Sequence, residues 1–406
     1  MKSTKQIMTE NFIARASYFA QLKNHQDDGT IKIVTGVRRC GKTTLLNQVR
    51  NTLLAEGVST DQILTFDLDK LTQADFLNSE TLIRTIRRSR PDGKRGYIFI
   101  EEIQQVDDLM GLTAELSVLE NADVYATASS TTVSQRINLP KCTLIEMHPL
   151  SFAEFRTAVE SDGLTVREDL SRYVRLGSFP ALVAHMGDPS FIDPYYELLV
   201  ESLMYRDVGL RFRLRNPLSL RRVVAYLGAT SGTAVSARSI AKILSAASGH
   251  TDISDITAGR YLQALTDCGM FTSADRYDIK NDREMPGISK YYLTDPAMCS
   301  RITAMISPNT EQLLENIVFL ELKRRYEKVY TGKTPAGEID FVCRSKNAGC
   351  YVQVAATGSV ADKLRTFRNL RDRYPCFVIT LDQTEIPENT NGVQIIPAVD
   401  WLLGKQ

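Results

Sequence analysis

"IKIVTGVRRCGKTTLLNQVRNTLLAEG" (residues 31–57) decides how the first third of this chain is read. IKIVT is an apolar run of strand length, and KTTLLNQVRNTLLAEG has the composition of a helix. The turn between them carries Gly36, Gly41, Lys42 and Thr43 at the spacing GxxxxGK[ST]. Glycines let such a loop fold back on itself, so that backbone N–H groups and a helix N-terminus converge on an anion. Lys42 is then expected to reach the terminal phosphates of ATP and the Thr43 hydroxyl to hold Mg²⁺. Arg39, Cys40 and Thr44 complete the stretch 36–44 expected to line the nucleotide.

Four more apolar runs follow at regular intervals: "QILTFDLD" (62–69), "YIFIEEI" (97–103), "DVYATASS" (123–130) and "TLIEMHPL" (143–150). Helical patterns separate them, a rhythm that predicts a parallel sheet with crossover helices. The fold class read here is α/β, a P-loop NTPase with a parallel sheet over residues 1–155. YIFIEEI ends in two acids, which would emerge at the carboxyl edge of a buried strand beside the phosphates. Glu101 is expected in the Mg²⁺ shell and Glu102 as the group that orients and polarises the attacking water. The plainer alternative is a strand running out into a solvated acidic turn.

Further along, residues 156–216 read as a helical lid without strands. Residues 217–298 give three helices followed by "MFTSADRYDIK" and "SKYYLTD", a winged-helix order. Residues 299–406 run helix, three strands, helix, strand, which resembles the restriction-endonuclease-like fold. Composition bounds the rest. Of 406 residues, 43% are apolar and 24% charged, as in an ordinary soluble globular protein. Net charge is +1, so attraction to nucleic acid has to come from local patches. Seven cysteines without a CxxC pair, and four histidines, argue against a disulfide framework or a zinc site. The start "MKSTKQIMTENF" lacks a signal-peptide core, and no apolar run has bilayer length, so a cytoplasmic protein is expected.

"GVRRCGKTTLL", "IFIEEIQ", "HPLSFAEF", "YVRLGSFPALV", "YRDV", "KYYLTDPAM", "LLENIVFLEL" and "GEIDFV…YVQVA" occur in an order that covers nearly the whole chain. In this the sequence resembles bacterial and archaeal AAA-like ATPases followed by a winged helix and a nuclease-like domain of unknown function. The resemblance implies an ATPase that uses ATP and Mg²⁺, works as an oligomer and acts on DNA. It also exposes departures. Where the family has Asp-Glu, this chain has Glu101-Glu102. Where it has TGSN the chain has TASS, so Ser130 replaces an amide that would sense the γ-phosphate. Where it has Gly-Arg the chain has Pro140-Lys141, so Lys141 stands where an arginine would act in trans, without that side chain's bidentate geometry. Arg206 and Arg136 are other candidates for a finger. These departures keep a second reading open, a nucleotide-gated switch on a protein partner with slow turnover.

Basic clusters lie at 84–95, 205–215 with Arg221 and Arg222, and 363–373. "SDITAGRYLQALTDCGM" would be the recognition-type helix, with Arg260 and Gln263 outward, although winged helices in ATPases also serve as lids or protein contacts. By resemblance to nucleases, Glu315, Asp340 and Gln353 stand at metal-binding positions, with Ala355 where a lysine is needed. That substitution points to a shell of a nuclease, with Lys363 as a candidate replacement for the lysine.

Overall fold

The computed structural model describes residues 13–405 apart from 92, 130–132, 134–140, 160–162, 211–216, 249–252, 304–308, 335–336, 347, 357–359, 369, 371 and 382–389. Ser130 and Arg136 therefore lie outside the described residues. The chain forms two compact units. The first is built on Met1–Pro149 with Phe179–Ala184 and Asp267–Gly269; the second holds Leu150–Ser178, His185–Thr266 and Met270–Gln406.

In the first unit the five apolar runs form β1 (Ile31–Thr35), β2 (Ile63–Asp67), β3 (Gly96–Glu101), β4 (Ala122–Ala128) and β5 (Cys142–Glu146). They pair in the order β2-β3-β4-β1-β5, every pairing parallel. A parallel sheet needs both faces covered, and β1 is buried along its whole length. Ile33, Ile98, Ile100, Leu82, Ile86 and Leu112 pack into one core beneath it. The strand that separates β1 from β3 in space is β4, although β2 separates the two motifs in sequence. An ion pair is buried in this sheet: the Lys32 ammonium pairs with the Asp123 carboxylate and lies over the Tyr125 ring. Removing either partner would strand a buried charge, at a cost of about 3–5 kcal/mol.

Helix Ser79–Ser89 shows why a basic run need not be a binding patch. Leu82, Ile83 and Ile86 face the core, Asn78 caps the first turn by accepting from Thr81 N at 2.9 Å, and arginines fill the last turn. Cations there complement the helix dipole. Arg87 pairs with Glu115, Arg90 donates to the Glu120 carbonyl and Arg95 to Asp27.

Within the second unit, helices Phe152–Ala158, Val166–Leu176 and Pro189–Ser202 precede a π-helical turn, Leu203–Leu210. Helices Pro217–Ala229, Ala237–Ser248 and Asp255–Asp267 follow in sequence, and with them the strands β6 (Ala234–Val235), β7 (Phe271–Asp278) and β8 (Arg283–Leu293). After helix Thr310–Arg325 come β9 (Lys328–Thr334), β10 (Gly337–Arg344), β11 (Gly349–Ala355), β12 (Cys376–Thr380) and β13 (Gln394–Pro397). All eight join one sheet in the order β13-β12-β11-β10-β9-β7-β8-β6. The hairpin read as a wing thus continues into the sheet beyond residue 299, through parallel pairing of Arg276–Asp278 with Thr331–Lys333. The physical reason is the open edge of β7, whose backbone groups β9 satisfies.

Candidate nucleotide-binding site

β1 ends at Thr35, and the chain turns at Gly36 with φ +151°, where a Cβ would lie 2.1 Å from the Met147 carbonyl oxygen. No other residue fits that turn. The loop runs through Arg39 (φ +66°) to Gly41 (φ +110°), which caps helix Lys42–Ala55 without a side-chain hydrogen bond. Its first N–H groups are therefore not taken by a capping side chain, which suits an anion. Cys40 is fully buried in the loop, and burial pushes its thiol up. Arg39 in the loop and Thr43 and Thr44 in the first turn of the helix are exposed.

Lys42 is buried, and its Nζ donates to Gly36 O (2.9 Å), Val37 O (3.1 Å) and Ser129 Oγ (2.8 Å). Ser129 in turn donates to Glu102 Oε1 at 2.7 Å, which makes a chain from loop cation to strand-end acid. Thr43 Oγ1 donates to Glu101 Oε2 at 2.6 Å. The two oxygens expected to share Mg²⁺ thus already face each other, and the donor set of hydroxyl and carboxylate is what a hard cation takes. The residues fit both the metal and the nucleotide.

The two acids differ electrostatically. Burial raises the Glu101 carboxyl above its usual range, and the charges of Asp67 and Glu102 push the same way; the bond from Thr43 only partly offsets them. Asp67 lies directly across from Glu101 on β2. For Glu102, burial also opposes charge, but Lys42, Arg38 and the bonds from Ser129 and Gln104 outweigh it and hold the carboxyl below its usual range. A carboxylate kept ionised is what a general base needs. Glu102 also sits at φ +56°, with its N–H donated to Thr127 Oγ1 at 3.0 Å, so its backbone is held in a conformation rare for a non-glycine residue.

Ser129, Arg38 and Gln104 escaped the sequence reading. Ser129 follows the last residue of β4, where no strand period marks a side chain as facing the site. Arg38 bonds Asp69 at 3.3 Å and lies 4.0 Å from Glu102. Lys141 is elsewhere: its carbonyl accepts from Ile31 N and its Nζ donates to Ser117 O at 3.2 Å, at the amino edge of the sheet, whereas the phosphate loop leaves the carboxyl edge. The structure does not bring it to its own chain's loop. Arg206 is exposed in the turn Leu203–Leu210 of the second unit.

The nuclease-like positions gather in the second unit with lysines among them. Lys290 Nζ lies 3.1 Å from Glu315 and 2.5 Å from Glu338. Lys363 Nζ lies 3.0 Å from Asp340 and 3.8 Å from Glu311. Asp340 also accepts from Val354 N at 2.8 Å, and Gln353 donates to Glu338 O and Thr366 Oγ1. Ala355 is fully buried. Among the described residues no group of three or more His, Cys, Asp or Glu could hold a metal ion. None of their helices is long and apolar enough to cross a membrane.

A family described as an AAA domain matches residues 28–156, and one described as a domain of unknown function matches 167–309. An uncharacterized protein of Haemophilus influenzae is 30% identical over 409 aligned residues, spanning 98% of this chain and 100% of the relative. One of Methanocaldococcus jannaschii is 24% identical over 342, spanning 78% and 73%. Among solved structures, a Walker-type ATPase of Pyrococcus abyssi aligns at TM-score 0.49 and 14% identity, over 72% of this chain and 97% of that one. The Orc1 protein of Aeropyrum pernix in complex with DNA aligns at 0.35 and 12%, over 74% and 95%. The chain belongs to the family of the Haemophilus influenzae protein, and its residues 28–156 are a P-loop ATPase domain of the AAA type.

Proposed function

We propose that this chain binds ATP with Mg²⁺ through residues 36–44 and hydrolyses it, as an oligomer that uses turnover to act on DNA. The observation that carries the reading is the Lys42–Ser129–Glu102 chain beside the Thr43–Glu101 pair. Lys42 and the helix N-terminus hold the phosphates, and Glu102 takes the proton of the attacking water. Mg²⁺, held by Thr43 and Glu101, would supply charge neutralisation on the phosphate oxygens. We assign Ser130 to sensing of the γ-phosphate and Lys141 or Arg206 to action on a neighbouring copy's nucleotide. Phosphate release from ATP by the purified chain tests the whole assignment.

A second reading is favoured by one detail. Both Glu102 oxygens already accept side-chain bonds, from Ser129 at 2.7 Å and Gln104 at 2.6 Å. Against the opposing effect of burial, the charges of Lys42 and Arg38 together with these bonds hold the carboxyl below its usual range and make it a weaker base, which suits a slow nucleotide-gated switch.

For the remaining segments we propose a helical lid at 156–216, a winged helix at 217–298 and a nuclease-like domain at 299–406. Exposure of Arg260 and Gln263 on helix Asp255–Asp267, and of Arg221 and Arg222 on Pro217–Ala229, supports a nucleic-acid-facing role. Affinity for duplex or forked DNA is expected to be electrostatic and to weaken steeply between low and physiological salt, with a log–log slope near the number of phosphates contacted. Titration of labelled DNA at several salt concentrations measures it. A flat response, or no binding at low salt, favours the switch.

The C-terminal domain is expected not to cut DNA. Cleavage needs a metal-activated water and help for the charge that builds on the phosphate. Here the ammonium groups of Lys290 and Lys363 already pair with Glu315, Glu338 and Asp340, so a divalent cation would have to displace them. Plasmid, linear and forked DNA incubated with Mg²⁺ or Mn²⁺, with and without ATP, should stay intact, and Asp340→Asn should leave ATP turnover nearly unchanged. Cutting that vanishes in Asp340→Asn would show that the missing lysine had been misread, and Lys363→Ala would be the next variant to make.

A further inference from the structure

Arg15 lies outside every motif of the sequence, yet only 4% of it is exposed. It precedes helix Ala16–Asn24, whose first turn it starts by accepting from Phe19 N at 3.0 Å. Its guanidinium reaches two separate segments: Nη1 donates to Cys40 O at 3.1 Å and Nη2 to His148 O at 2.7 Å. The group lies 4.8 Å from the centroid of the Tyr18 ring, whose hydroxyl accepts from His148 N at 3.3 Å. So one buried cation ties the phosphate loop to the exit of β5. That same exit segment crowds the loop, since Met147 lines both Gly36 and Gly41.

The Cys40 carbonyl matters because of what its peptide carries on the other side. In a trans peptide the C=O and the following N–H point in opposite directions. A carbonyl drawn toward buried Arg15 therefore turns the Gly41 N–H the other way, to the side where the uncapped helix N-terminus begins. The φ of +110° at Gly41 leaves that peptide free to rotate unless something outside the loop holds it. We infer that Arg15 is a positioning residue for the phosphate loop: it fixes the Cys40–Gly41 peptide so that the Gly41 N–H faces the nucleotide's phosphates. Only a planar fork can reach both carbonyls at once, so lysine would replace it in part. The inference rests on the nucleotide assignment made above.

Its test measures ATP and ADP affinity, with Mg²⁺, in the wild type and in Arg15→Met, Arg15→Lys, Leu22→Ala and Lys42→Ala. Leu22 is fully buried on the same helix, and its apolar side chain makes no hydrogen bond, so its variant reports mere loosening of the helix. Arg15→Met is expected to weaken ATP and ADP alike by about tenfold, a loss of the size of one charge-assisted hydrogen bond. Arg15→Lys should recover part of this, and Leu22→Ala should stay within about twofold of wild type. The maximal hydrolysis rate at saturating ATP should change far less than the affinity. If Arg15→Met does not fold, the Arg15→Lys deficit set against Leu22→Ala decides the matter. Wild-type affinity in the Arg15 variants, with binding lost in Lys42→Ala, overturns the inference and leaves the nucleotide assignment standing. An equal loss in Leu22→Ala overturns it as well, and a wild type that binds neither nucleotide overturns both.

Discussion

Lys42→Ala is expected to weaken ATP binding at least about a hundredfold, to the point where titration calorimetry with ATP and Mg²⁺ shows no saturable heat. The ammonium is the loop's buried cation, and it holds Gly36 O, Val37 O and Ser129 Oγ together. Alanine removes the charge and leaves two loop carbonyls and a hydroxyl without that donor. To bind nucleotide the ammonium has to exchange some of these partners for phosphate oxygens; hydrogen bonds to a charged group contribute about 1.5–3 kcal/mol each, so losing two made to phosphate gives a change of this size. Melting of the variant without nucleotide separates loss of the site from loss of the fold. Normal affinity in a folded variant would sink the assignment of residues 36–44.

Glu102→Gln should bind ATP about as well as the wild type and turn it over at least roughly tenfold more slowly, since a neutral amide is a poor base. The substitution is nearly isosteric, and its carbonyl oxygen can keep the bond from Ser129. Glu101→Gln should behave differently. It alters the oxygen set shared with Thr43 and should weaken the dependence on Mg²⁺. Rate and metal affinity measured in both variants separate the roles. If Glu101→Gln alone loses turnover while its Mg²⁺ affinity is normal, the two glutamates have been exchanged.

The parallel sheet was legible because its central strands are mostly apolar runs between helical stretches, as strands buried on both faces have to be. The loop was legible because only glycine tolerates Gly36 against Met147. What escaped depends on contacts that no local pattern encodes. Ser129 is a small hydroxyl just past the end of β4, and nothing local marks it as the one that meets Lys42 and Glu102. The left-handed backbone at Glu102 has no glycine to announce it. Arg15 is a single basic residue before a short helix, and its partners come from two distant loops. In the second unit the pairing of β7 with β9 joins segments far apart in sequence, so the hairpin read as self-contained became part of a larger sheet. Lys290 followed from that pairing: in sequence it is one polar residue in SKYYLTD, and in space it lies between Glu315 and Glu338. The short β13 carries too few residues to show a period.

Phosphate release from ATP by the purified chain, followed with Mg²⁺ in the presence and absence of forked duplex DNA, tests the central claim most directly. Mg²⁺-dependent release that rises when DNA is added, and that is lost in Glu102→Gln, is the expected result. No release above background at saturating ATP, with or without DNA, would contradict it.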